Sequence, residues 1–85
     1  MPLFLIERQF AEAFEVEPAG VAAIRKINAD VGVTWVFSFL SADRKKTYCL
    51  YEATSAEAVR EAARRANLPA DAVIEVTELR PETFA

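Results

Sequence analysis

The sequence predicts an α+β domain in which a four-stranded antiparallel sheet carries two helices on one face. Three observations lead there. Apolar runs with period-two character occur four times, in "LFLIERQF", "VGVTWVFSFLS", "TYCLYEA" and "AVIEVTEL". Helical spacing occurs twice, in "EVEPAGVAAIRKINADVG" and from Thr54 to Asn67. The polar stretch "SADRKK" joins the second and third runs, which makes them a hairpin. The order is β-α-β-β-α-β, the ferredoxin-like plan, and right-handed crossovers bring both helices to the same side. A single domain is expected over residues 1–85.

Each element has a local cause. The first strand should run from Leu3 to about Phe10, with Leu3 and Leu5 alternating against Phe4, Ile6 and Arg8. Pro18 suits the first turn of a helix and Gly32 stands just past its end. The buried stripe of that helix should be Val21, Ile24, Ile27 and Val31, with Arg25 and Lys26 facing water. In the second strand, Val33, Trp35, Phe37 and Phe39 fall on one face and Thr34, Val36, Ser38 and Leu40 on the other. Thr54-x-x-Glu57 fits a capping box for the second helix. Its inner stripe would be Ala56, Val59, Ala63 and Ala66, small enough for the helix to lie close to a sheet, while Glu61 and Arg65 are spaced for a surface pair. Asn67, Leu68 and Pro69 end the helix, and Pro81 ends the last strand. No low-complexity stretch, linker or long loop interrupts this order.

Composition narrows the function. The chain is 53% hydrophobic with six Phe, two Tyr and one Trp, which excludes disorder. A net charge of −3 argues against nucleic acid as a partner, and Arg44-Lys45-Lys46 reads as a solvated hairpin tip. No apolar run approaches the roughly 20 residues that cross a membrane. The start lacks the features of a signal peptide, so a cytoplasmic location is expected. There is no histidine, one cysteine and no glycine-rich phosphate loop. Histidine-based nucleophile pairs, histidine-containing zinc patterns and CxxC motifs are thereby excluded for the isolated chain.

Both faces of the predicted sheet are apolar. In the third strand Tyr48 and Leu50 oppose Thr47, Cys49 and Tyr51; in the last, Val73 and Leu79 oppose Ile74 and Val76. Helices cover one face only. The other would leave an apolar patch of several hundred Å², which a second copy would bury. A homodimer with its sheets packed together, resembling a dimeric α/β barrel, is expected.

The candidate site residues carry two readings each. Cys49 is either a small buried apolar residue or a thiolate that ligates a metal or lines a pocket, with Arg8 as the positive group nearby. Glu52, on the opposite side of its strand from Cys49, is either solvated or a polar anchor for a ligand. Glu7 and Arg8 stand in an otherwise apolar strand, at an edge or facing a pocket. Trp35, Phe37 and Phe39 are core or dimer contacts, or pocket lining to which Tyr48 and Tyr51 add hydroxyls.

The segment from "DVGVTWVFSFLS" through "TYCLYEA", "SAEAVREAARRANLPAD" and "VIEV" resembles a family of small ferredoxin-like proteins, mostly domains of unknown function. One branch of that family is a cytosolic nickel-binding homodimer. The resemblance covers nearly the whole chain and implies a dimer and a metal, nickel. Nickel sites in that branch use histidine, and this chain offers only Cys49, with Glu52 as a carboxylate, in the matching strand. Three functions follow as expectations. The first is a dimer that binds a small molecule or metal at or near the interface between its sheets, with Arg8, Trp35, Tyr48, Tyr51 and Glu52 as ligand-binding residues and Cys49 as the metal ligand. The second is a cofactor-independent enzyme of monooxygenase or isomerase type. The third is an interaction module using strand edges or the Phe84 tail.

Overall fold

The computed structural model describes residues 1–84, and for Phe84 the backbone alone. The Phe84 tail suggested as a docking element thus lies outside the described side chains. Strand β1 (Leu3–Gln9) leads through residues 10–17 into helix α1 (Pro18–Val31). Strands β2 (Thr34–Leu40) and β3 (Lys46–Glu52) form the hairpin, followed by helix α2 (Ala56–Arg65), strand β4 (Ala72–Val76) and a single 3₁₀ turn, Pro81–Phe84. The sheet is antiparallel with order β2-β3-β1-β4, the arrangement of the ferredoxin-like plan. No helix among the described residues is long and apolar enough to cross a membrane.

The caps explain where the helices stop. Pro18 opens α1 after an extended Glu17, and Gly32 closes it at φ 85°, its amide donating to the carbonyls of Asn28 and Ala29. Asn67 takes φ 56° after α2, and the Leu68 amide donates to the Ala63 carbonyl over 3.0 Å. At the other end of α2 the cap falls one residue later than the Thr54 capping box predicts. Ser55 is the extended residue, and its hydroxyl accepts from the Ala58 amide at 3.2 Å. Val59, Ala62 and Ala63 pack inward, and Glu61 pairs with both Arg64 and Arg65 at 2.7 Å.

The core sits between α2 and the two central strands. Phe4 and Ile6 of β1 lie beside Tyr51 and Cys49 of β3, under Val59 and Ala62. Ile6 and Val59 are the largest side chains removed almost completely from solvent. By contrast, Val21, Ile24, Ile27 and Val31 are only half-buried, and Asn28 is the one fully buried residue of α1. The apolar stripe is where its spacing placed it, but the space beneath it is incompletely filled.

Two strands depart from the sequence pattern. The register of β2 against β3 shifts between Trp35 and Phe37, placing a β-bulge at Val36. Trp35 pairs with Tyr51 and therefore faces the helices together with Ser38 and Leu40, whereas Phe37 and Phe39 face away beside Leu50 and Tyr48. The single row Val33/Trp35/Phe37/Phe39 is thus divided. β2 is an edge strand with one neighbour, where an extra residue disrupts the fewest hydrogen bonds. The last strand ends at Val76, so Leu79 lies beyond it, 76% exposed, and belongs to neither face.

Candidate ligand-binding cavity

The unfilled space under α1 is a cavity of about 440 Å³, within the range of small-molecule pockets. Its floor is the helix-facing side of the sheet, with Arg8 from β1, Trp35 and Ser38 from β2, and Thr47, Cys49 and Tyr51 from β3. Val21 and Ile24 of α1 form its roof. Gly20 also lines the cavity, and a Cβ built there would meet nothing within 4 Å.

Residues 10–17 make the remaining wall, a longer connection than the sequence reading allowed for. Phe10 and Phe14 stack with ring centroids 4.6 Å apart. The hairpin tip holds this segment in place. The Phe10 amide donates to the Lys45 carbonyl at 2.8 Å, the Phe14 amide to the Arg44 carbonyl at 2.6 Å, and Arg44 Nε to the Phe14 carbonyl at 3.1 Å. Arg44 itself has φ 62°. The basic triplet is therefore more than a solvated tip, because Arg44 fixes one wall of the cavity.

Among the described residues, Arg8 is the cavity's one buried charge, with 3% of its surface exposed. Alternation along β1 points it to the helix side with Phe4 and Ile6. Its Nη1 donates to the Pro69 carbonyl at 2.7 Å, and its guanidinium carbon lies 6.0 Å from the Tyr51 ring centroid. Among the described residues, no carboxylate comes within 4.0 Å of the guanidinium. Glu15 and Glu17 line the cavity but are exposed residues of its wall.

Burial pushes the Tyr51 hydroxyl above the ordinary phenol value, against the opposing pull of the Arg8 charge and the Asn28 amide. Tyr51 therefore remains a proton donor at neutral pH rather than a base. Asn28 Nδ2 is buried and has no hydrogen-bond partner. Trp35 Nε1 is satisfied by Ser38 Oγ at 2.8 Å, a pairing that only the bulge makes possible between residues three apart on a strand. The Cys49 thiol is buried and donates to Thr47 Oγ1 at 3.7 Å.

The structure thus brings Arg8, Trp35, Cys49 and Tyr51 together in one cavity. Tyr48 and Glu52 lie on the opposite face, alternating with Cys49 and Tyr51 along β3. Sequence reasoning missed Phe10, Phe14, Ile24, Ser38 and Thr47 as lining residues. The only local signal was an aromatic pair, Phe10 and Phe14, placed between elements where polar residues are usual.

These features define a small ferredoxin-like α+β protein with an apolar, arginine-bearing cavity between helix and sheet. A family model described as "Nickel responsive protein SCO4226-like" matches residues 4–76, and the chain belongs to that family. Among solved structures it is similar to SCO4226 from Streptomyces coelicolor A3(2), with a TM-score of 0.79 and 24% sequence identity over 92% of this chain and 99% of that one. At that identity the likeness carries the fold. No protein of curated function is significantly similar to the chain.

The family's description raises nickel, and the donor set of this chain does not fit it. Nickel favours imidazole-rich or planar nitrogen and oxygen surroundings, and the chain has no histidine. Among the described residues, no three histidine, cysteine, aspartate or glutamate side chains come together to hold an ion. Cys49 and Glu52 point to opposite faces of the sheet, so they cannot share one.

Proposed function

We propose that this protein is a non-catalytic binding protein that takes a small molecule into the cavity beneath α1 and pairs with a second copy through the open face of its sheet. The observation that carries the reading is the cavity itself: about 440 Å³ of largely apolar space with one buried guanidinium on its wall. Pockets that hold small ligands combine an apolar lining with a few fixed polar groups, as Arg8, Tyr51 and Ser38 provide here. The ligand position thus moves from the sheet-to-sheet interface, expected from the sequence, to the helix side.

The open face supports the pairing. Leu5, Phe37, Phe39, Tyr48, Leu50 and Ile74 share it, with Phe37, Phe39 and Ile74 between 48% and 64% exposed. Polar groups lie towards its ends, where Lys46 meets Glu7 at 4.0 Å. A contiguous apolar surface with a polar margin is the anatomy of a protein interface. A cytoplasmic location belongs to the same proposal and suits the lone free thiol of Cys49. Nickel stays outside it, because the donors do not assemble.

Native mass spectrometry of gently purified protein tests both halves. The expected result is a dimer with one additional organic mass per subunit, and a Phe39→Asp variant that is monomeric yet keeps that mass. Bare protein in both samples counts against the binding role. A wild-type monomer at micromolar concentration rules out the pairing.

A further inference from the structure

We infer that the cavity selects an organic monoanion, a carboxylic acid whose carboxylate pairs with the Arg8 guanidinium while its apolar body lies among Phe10, Phe14, Val21, Ile24 and Trp35. The inference rests on reading the cavity as a binding site, and adds the chemistry of what binds.

The first support is an unbalanced charge. Arg8 is 97% removed from solvent, since only 3% of its surface is exposed, and a guanidinium keeps its proton when buried. Burying an ionised group without a counter-charge is costly. Its neighbours supply a carbonyl dipole at Pro69 and the face of the Tyr51 ring, and neither neutralises it. One Nη1 proton is committed to Pro69 and the guanidinium also acts on the Tyr51 hydroxyl, which leaves several of its five N–H groups as donors. A carboxylate has the geometry to take a pair of parallel N–H bonds.

The second support is an excess of donors around the same spot. The Tyr51 hydroxyl lines the cavity as a neutral phenol, and the buried Asn28 amide stands behind it. The Ser38 and Thr47 hydroxyls already accept, from Trp35 and Cys49 respectively, and so have their own protons to give. A carboxylate brings only acceptors to these donors.

The number and placement of charges set the remaining limits. Among the described residues, Arg8 is the only cationic side chain that lines the cavity, so one negative charge is matched and two are not. Glu15 and Glu17, on the exposed wall, disfavour a second anionic group there, which leaves the buried Arg8 side as the place for a single carboxylate. The aromatic and aliphatic lining excludes a heavily hydroxylated body, whose polar groups would lose their water without replacement.

Trp35 is the chain's single tryptophan and lines the cavity, so its fluorescence reports occupancy directly. The test compares 4-phenylbutyrate with its uncharged amide, 4-phenylbutyramide, by fluorescence titration of the intact protein. Charge-assisted hydrogen bonds to a buried arginine should make the acid bind at least about tenfold more tightly than the amide. In Arg8→Met the two should converge to within about twofold, with Arg8→Lys between the extremes, because the charge is kept without the fork. Equal binding of acid and amide to the wild-type protein overturns the monoanion and leaves the cavity reading standing. Failure of both compounds to change Trp35 fluorescence at millimolar concentration overturns the cavity reading as well. The wild-type comparison decides the matter even if Arg8→Met does not fold.

Discussion

The two faces of the sheet are built from the same kinds of residue and are put to different uses. On the helix side, Phe4 and Ile6 are buried against α2, and the part under α1, floored by Cys49 and Tyr51, remains open as a cavity with Arg8 on its wall. On the other side, Phe37, Phe39 and Ile74 stand exposed. Hydrophobicity alone does not distinguish a core from an interface from a ligand site. What separates them is how completely a covering element fills the space, and whether a charge has been buried without its counter-charge. α2 fits closely because its buried stripe, Val59, Ala62 and Ala63, is small; under α1, residues 10–17, Val21 and Ile24 line the space left unfilled.

Replacements on each face sharpen this contrast. The largest effect is expected for Ile6→Ala, which empties a completely buried site and should cost about 2–5 kcal/mol in denaturant unfolding, independent of protein concentration. Leu5→Ala, one residue away on the open face, should cost much less in dilute monomer, and parity between the two would erase the distinction. Phe39→Asp comes next. It should weaken self-association by about 2 kcal/mol or more in sedimentation experiments, and remove the rise of the melting temperature with protein concentration.

Titration distinguishes the faces more finely. Burial raises the Tyr51 pKa above the ordinary 10.0, so the neutral form is the one the fold favours. Its contribution is complete below pH 10.0 and is lost as pH rises through the higher folded-state value. Tyr51→Phe should therefore flatten the alkaline limb of a stability–pH curve relative to wild type. The smallest effect is expected at Glu61, on the outer surface of α2, where Arg64 and Arg65 lower its pKa from the ordinary 4.5. Its contribution is present above pH 4.5 and fades as pH falls through the lower folded-state value, so Glu61→Gln should soften only the acid limb.

Much of the fold is legible because its causes are local. Pro18, Gly32 and Asn67 mark helix ends by backbone geometry, and Arg8, Cys49 and Tyr51 take their faces from simple alternation. The bulge is not legible. "TWVFSFL" is apolar on both parities, so a one-residue slip at Val36 leaves no trace in the pattern, yet it turns Trp35 away from Phe37. Thr54 and Ser55 are both competent caps, and only the backbone path chooses between them. The cavity was beyond sequence reasoning for a different reason. Its walls come from β1, β2, β3, α1 and the segment pinned by Arg44, and no local window contains the void between them.

The most direct test of the two-faced sheet follows backbone amide resonances by nuclear magnetic resonance in two experiments on the same sample. Dilution should move the amides of Phe37, Phe39, Leu50 and Ile74, whereas added 4-phenylbutyrate should move those of Arg8, Ile24, Trp35 and Cys49. Two separate sets are the expected result. Ligand-induced shifts concentrated on the open face, or one common set in both experiments, would contradict a division of labour between the faces.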